Sequence, residues 1–352
     1  MRPGARHDWS PCINAVIKDA LRGRASSAGV QNGRLRSLLV TLQERGHPSA
    51  IENHQHRGRY SPLIDVALAT CSLLPDLDDD ERLVIPELAA RGLTAEPRVW
   101  DDESVAWDAF RAVVVRSTWD YSDRHVAFME WCAQPRLLLN TLPVIAWNTD
   151  KRYLRELSSA GIPVVPTTWF DPGSSPDSMG LPDGDVVVKP SVSAGARDTS
   201  RYRAADLLQA RAHVARLLEE DRAVLVQSYV PSVDADGETG LIFIGGAFSH
   251  AIRKGPLLRT HGVATDQLWA PEDISVRIPD ASERAVAEAT LDALPWRREE
   301  LVYARVDLVR GDGGKPLLLE LELAEPSLFL AYGDEASSKL AAAIAGRIEG
   351  AA

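Results

Sequence analysis

Lysine is scarce in this 352-residue chain, and the settings of its few copies can be read for chemistry. Only six stand among 39 Lys and Arg residues: Lys18, Lys151, Lys189, Lys254, Lys315 and Lys339. A lysine ammonium is a compact point charge on a flexible stem, suited to phosphate oxygens in a narrow cleft. Lys189 ends a run of valines in DVVVKPSVSAGARD. The small-residue loop after it could close over a phosphate with its backbone N–H groups. That loop matches neither a Walker A loop nor a dinucleotide GxGxxG, and a plain connecting turn explains it almost as well. Lys151 opens a predicted helix, where the dipole disfavours a cation; a nearby anion would resolve the conflict, and so would water. Arg253 and Lys254 end the hairpin GETGLIFIGGAFSHAIRK, which Glu238 begins. Together they could clamp a phosphoryl group, or simply face solvent.

The carboxylates are patterned too. In LLLELEL, Glu320 and Glu322 alternate with leucines, so both leave one face of a strand. Asp307 lies across the GDGGK turn on VYARVDLV, on the face it shares with Arg305, and a register placing it near Glu320 fits a turn of that length. Three converging carboxylates would repel unless a divalent cation neutralised them, and hard oxygen ligands favour Mg²⁺. A solvated acidic sheet face is the alternative.

These residues need elements to position them. From Pro62 the chain reads as strand LIDVALAT, a helix ending at Gly92, strand AEPRVW and strand AVVVRSTWDY, a βαβ arrangement implying a parallel sheet. Ligands gather at the carboxyl ends of such strands, where Arg116, Ser117, Thr118, Trp119 and Tyr121 stand. Helix HVAFMEWCAQ and strand LLLN follow. Next come a helix capped by Asn148, Thr149 or Asp150 and running to Gly161, an extended stretch after Pro163, and a loop rich in turn formers. The Lys189 strand, the amphipathic helix AADLLQARAHVARLLEE and strand AVLVQSYV complete that unit. The last unit holds two hairpins and the helix SERAVAEATLDAL. The implied domains are 61–146, 147–230 and 231–352, of mixed α/β class.

Bulk composition sets outer limits. The chain carries 45% apolar and 25% charged residues, as soluble globular proteins do. Its net charge is −11, but residues 1–60 carry ten Arg and Lys against four Asp and Glu, leaving the remainder near −17. That argues against nucleic acid as the main partner. No apolar run is long enough to span a bilayer. Cys12, Cys71 and Cys132 lack metal or disulfide spacing, so a reducing cytoplasm is the expected location. The leader 1–60 lacks sustained apolar periodicity and reads as disordered; a transit peptide or an over-extended start are the other readings.

Taken in order, a lysine opening a helix, a lysine before a small-residue loop, VQSYV, a GE hairpin ending in Arg, and Asp…Glu-x-Glu resemble the ATP-grasp superfamily. The resemblance covers about residues 62–345. RSTWDY, WNTDKRYL, KPSVSAGARDT and LELELAEPSLFL look like the bacterial branch related to glutathione-synthetase ATP-binding domains, which includes a cyclo-ligase forming D-cycloserine from O-ureido-D-serine. The fold implied is an N-terminal βαβ domain followed by two α+β subdomains clasping ATP. The resemblance implies Lys151 and Lys189 on the nucleotide phosphates, with Ser191, Ser193 and Gly195 in the flexible lid. It implies Gln227, Tyr229 and Val230 near adenine and Glu238 near ribose or substrate. Arg253 is implied at the transferred phosphate, with Asp307, Glu320 and Glu322 on Mg²⁺, or Mn²⁺ in its place. Arg116, Ser117, Thr118, Trp119, Tyr121 and Arg305 are expected to meet the substrate, with Arg116 on its carboxylate. One departure stands out: Glu322 sits where the usual Glu-x-Asn motif has Asn.

The activity implied is carboxylate activation as an acyl phosphate, followed by attack of a nitrogen nucleophile. The substrate would be a small amino-acid-like molecule. Cyclisation within one substrate is the first reading, and ligation of two substrates the second. A nucleotide-binding protein without turnover is the third. The resemblance leaves a homodimer open.

Overall fold

The computed structural model describes residues 64–178, 180–256 and 273–351. The leader lies outside the described residues. Strand β1 (Val66–Thr70) is followed by helix α1 (Val84–Ala89), β2 (Ala95–Val99), β3 (Ala112–Val115), α2 (His125–Cys132) and β4 (Leu138–Leu139). The four strands form a parallel sheet in the order β2-β1-β3-β4. β1 and β3 are buried along their whole length, which is why both read as unbroken apolar runs. Strand alternation splits them between two cores. Val66, Leu68, Ala112 and Val114 join one. Ala67, Ala69, Val113 and Val115 join an aromatic one with Trp100, Trp107, Phe128 and Trp131, where Trp107 meets Trp131 edge-on at 5.1 Å.

The segment around Lys151 departs from the sequence reading. A helix the pattern did not announce, α3 (Leu142–Asn148), comes first, with Pro143 in its opening turn. Thr149 to Arg152 then make a turn, and α4 (Tyr153–Ser159) begins after it with no side-chain cap. Lys151 therefore occupies the turn between two helices rather than a helix start. Asn148 is drawn away from capping by a distant strand. Its amide donates to the carbonyl of Leu321 at 2.8 Å and accepts from the N–H groups of Leu323 and Ala324.

The second sheet is antiparallel, built from β5 (Thr167–Phe170), β6 (Val186–Pro190), β7 (Ser200–Tyr202) and β8 (Val224–Ser228) in the order β5-β8-β6-β7. Helix α5 (Leu207–Glu219) lays Ala210, Val214 and Leu217 against it, the helical spacing of one apolar stripe. After the short helix α6 (Val233–Asp236), a third sheet forms from β9 (Glu238–Ile244), β10 (Ala247–Lys254), β11 (Ile274–Val276), β12 (Tyr303–Arg310) and β13 (Pro316–Glu322). Its order is β11-β10-β9-β12-β13. Gly245 and Gly246, both at positive φ, join β9 to β10 in a tight turn. Helix α7 (Ala281–Asp292) opens with a reciprocal capping box between Asp280 and Glu283. Helix α8 (Ala336–Gly350) sends Leu340, Ile344 and Ile348 into the core shared by the first and third sheets.

Buried polar side chains bind these sheets together. The Asn140 amide donates to the carbonyls of Tyr303 (3.0 Å) and Leu323 (2.8 Å) and accepts from the Val302 N–H (2.7 Å). Gly237, just before β9, has φ +70° and ψ −163°, a conformation essentially reserved for glycine. A Cβ there would sit 2.2 Å from the carbonyl oxygen of Lys254. Gly237→Ala should therefore cost at least about 1–3 kcal/mol, read as a lower urea midpoint with an unchanged slope. An unchanged midpoint would show that this corner is not built as described.

Candidate active site

The three sheets enclose a cavity of about 410 Å³. Lys189 reaches it from the end of β6, Lys151 from the turn after α3, Lys254 from the end of β10, and Arg305 from β12. All four are buried. Like charges packed so closely need counter-ions, and the third sheet supplies them. Antiparallel register puts Asp307 opposite Glu320 and Arg305 opposite Glu322, with a bulge just beyond Asp307 that re-aims the strand at the site. Lys254 Nζ lies 2.9 Å from Asp307 Oδ2 and 3.1 Å from Glu238 Oε2. Arg305 donates to Asp307, to Glu322 and, at 3.0 Å, to the carbonyl of Ser327. Lys151 Nζ lies 3.2 Å from Glu320 Oε1 and donates to the carbonyl of Ser193 at 2.7 Å. Gly240 pairs with Asp307 across the β9–β12 ladder, where a Cβ would come within 3.0 Å of the carboxylate.

The electrostatics follow from burial against pairing. Burial alone would raise Asp307, yet Arg305 and Lys254 hold its carboxyl below the ordinary range. Glu320 is likewise held down against its burial, chiefly by Lys151 and Lys189. Burial lowers Lys189 in spite of Glu320. Glu322 is raised, first by burial, despite its bond to Arg305, and burial together with the charge of Glu322 pushes Glu325 up to about 8.

The repulsion among Asp307, Glu320 and Glu322, for which a divalent cation was expected, is met in the structure by Lys254, Lys151 and Arg305. The remaining sequence-predicted residues divide. Ser193, Gly195, Gln227, Tyr229, Val230, Glu238, Trp119 and Tyr121 line the cavity with Lys151, Lys189, Arg305, Glu320 and Glu322. Asp307 lies beneath, reaching it through Lys254 and Arg305.

Ser191 serves as backbone scaffold instead: its N–H donates to Ala223 and its carbonyl accepts from the Lys151 N–H. Arg253 turns away from the cavity, donating to the carbonyls of Asp236 (2.7 Å) and Ala235 (3.2 Å). Neighbours on a strand point to opposite faces, so with Lys254 facing inward Arg253 cannot. Arg116, Ser117 and Thr118 are fully packed behind the wall. Arg116 is held in a two-pronged pair with Glu81, donates to the Pro326 carbonyl at 2.6 Å, and stacks 4.7 Å from the Tyr303 ring centroid.

Sequence reasoning missed Asp78, Asp80, Ser327 and Phe329 in the lining. Asp80 accepts from the N–H groups of Leu330 and Ala331, some 250 positions away, a contact no local pattern announces. Phe329 carried a weak signal, as the aromatic residue of the EPSLFL tail. Its backbone is left-handed, at φ +50°.

Residues 66–142 match the family model described as the N-terminal domain of D-cycloserine synthetase DcsG. The cycloserine biosynthesis protein DcsG of Streptomyces lavendulae is 38% identical over 304 residues, 81% of this chain and 99% of that one. A crystal structure of D-cycloserine synthetase DcsG superposes with a TM-score of 0.71 at 37% identity, over 80% of this chain and 99% of its own. A RimK-domain ATP-grasp protein from Sphaerobacter thermophilus DSM 20745 shares the fold, with a TM-score of 0.55 at 21% identity over 79% of this chain and 98% of its own. With that sequence identity across nearly the whole of the relative, the chain belongs to the DcsG family of ATP-grasp ligases.

Proposed function

We propose that this enzyme uses ATP to activate the carboxylate of a small amino-acid derivative and closes that molecule on its own nitrogen, converting O-ureido-D-serine to D-cycloserine. The observation that carries the reading is the convergence of Lys151, Lys189, Lys254 and Arg305, backed by Asp307 and Glu320, on a single cavity. Four buried cations in one pocket exceed what a structural role requires, and they suit an anion as highly charged as a triphosphate. The donor chemistry also fits Mg²⁺. That ion takes one or two carboxylates and keeps phosphate oxygens and waters, so Glu320 and Glu322 on the cavity wall, with Asp307 behind them, suffice without a full protein cage. Bound there, Mg²⁺ would neutralise charge on the transferring phosphoryl group.

The chain's own residues supply position and charge. Lys151 and Lys189 would hold phosphate oxygens, and Lys151 ties the Ser193–Ala196 loop down by donating to Ser193. Gly195 and Ala196 both adopt left-handed backbone, an arrangement that turns successive N–H groups toward an anion. Lys254 and Arg305 would meet the carboxylate as it takes the phosphoryl group, and Trp119 and Tyr121 would wall off the substrate from water. The nitrogen bonded to the side-chain oxygen then displaces phosphate from the acyl phosphate, forming the ring C–N bond, and water removes the carbamoyl group that this nitrogen still carries, as carbamate that breaks down to CO₂ and ammonia.

Mass spectrometry of the protein with Mg²⁺, ATP and O-ureido-D-serine should show ADP and D-cycloserine appearing together, each dependent on the substrate. ADP formation with other amino-acid pairs and none with O-ureido-D-serine would replace this reading with two-substrate ligation.

A further inference from the structure

Glu325 differs from every other acidic residue lining the cavity. Lys254 answers Glu238, Lys151 answers Glu320, Arg305 answers Glu322, and backbone N–H groups answer Asp78 and Asp80. The Glu325 carboxylate makes no hydrogen bond or ion pair among the described residues, yet it lines the same cavity. A carboxylate so placed is costly unless something completes it.

Its backbone, by contrast, is held with unusual care. Trp119 Nε1 donates to the Glu325 carbonyl at 3.0 Å, Arg116 to that of Pro326 at 2.6 Å, and Arg305 to that of Ser327 at 3.0 Å. Three consecutive carbonyls gripped by three side chains fix where the carboxylate stands. It stands beside the aromatic wall: after burial, the charge of Glu325 is the largest influence raising the Tyr121 hydroxyl. A carboxyl group fixed next to Trp119 and Tyr121 makes a site for a cation, whose charge would favour its ionised form.

We infer that Glu325, with Trp119 and Tyr121, receives the ammonium group of the amino-acid substrate. This rests on the proposed function and adds to it: the substrate is bound as a zwitterion, with its ammonium at Glu325 and its carboxylate toward Lys254 and Arg305. The ammonium is an anchor and takes no part in bond formation. That selects an α-amino acid over the corresponding plain carboxylic acid. Burial and the charge of Glu322 raise this carboxyl, and an ammonium beside it would offset both.

The test compares O-ureido-D-serine with its des-amino counterpart, 3-(ureidooxy)propanoate, on the wild-type enzyme and on Glu325→Gln, following ADP release. Gln keeps the shape, and a melting curve matching the wild type verifies the fold. In the variant the KM for O-ureido-D-serine should rise roughly 10- to 100-fold, the range of a lost charged hydrogen bond, with the KM for ATP unchanged. The wild type should discriminate against the des-amino compound by a similar factor, and the variant should no longer discriminate. A variant that still prefers the amino compound overturns the assignment, as does a rise in the KM for ATP or Mg²⁺ with no change for the amino acid. If the wild type forms no ADP with O-ureido-D-serine, the functional reading fails and this assignment falls with it; the other two results leave that reading intact.

Discussion

Replacing Arg116 with alanine should cost the fold about 3–5 kcal/mol, because it strands a fully buried carboxylate. Glu81 is 1% exposed, and Arg116 is the cation that answers it. Burial already outweighs that partner, so the Glu81 carboxyl sits above its ordinary range even in the intact pair. Without the guanidinium it must rise further. A carboxyl whose folded-state pKa is raised costs nothing below its unfolded pKa, and the full penalty appears once pH passes the folded value. The variant should therefore be destabilised most at neutral pH and should regain stability as pH falls toward the ordinary carboxylate range. Removing both charges, in Arg116→Met with Glu81→Leu, should recover much of the loss, since no buried charge is then left alone. Urea unfolding of the three proteins at pH 5 and pH 7.5 measures all of this. A variant with wild-type stability and a raised KM only for the carboxylate substrate would return Arg116 to the substrate role that its position at a strand end had implied.

That contrast shows what kind of information the sequence carries. The β3 carboxyl end was identifiable as site territory, and Trp119 and Tyr121 do line the cavity. Which of the neighbouring residues face inward depends on a partner 35 positions earlier, on a turn of 3-10 helix that brings Glu81 beneath the strand. Period-two alternation in LLLELEL and VYARVDLV placed Glu320, Glu322, Arg305 and Asp307 on one face, and the short turn set their register. These are local properties, readable without the rest of the fold. Asn148 was legible only as a polar residue near a helix; its actual partners lie in Leu321 to Ala324, on a different sheet. Helix α3 escaped notice because seven residues containing a proline carry too little periodicity to be seen.

The same limit governs Arg253 and Lys254, and it yields the prediction with the largest effect on turnover. Alternation guarantees that the two side chains point to opposite faces, but it does not say which face is the cavity. The register does: Lys254 pairs with Glu238 across the β9–β10 ladder, and its ammonium reaches Asp307 at 2.9 Å. Arg253 is left to the backbone carbonyls of α6. Lys254→Met should lower kcat by at least about 10²–10³, the cost of removing one preorganised charge from a site of developing negative charge. Arginine should not restore it, because its planar fork cannot take the place of a point charge between two carboxylates. Arg253→Met should keep kcat within a few-fold and lose its bonds to Ala235 and Asp236 and its ion pair with Asp273. Nucleotide binding by calorimetry separates the two explanations for a dead Lys254→Met. If the cation acts on phosphate, affinity for ATP falls while the melting temperature shifts little. If it serves only to neutralise Asp307 and Glu238, stability falls and the folded fraction keeps its affinity. An inactive Arg253→Met beside an active Lys254→Met would reverse the assignment of the two faces.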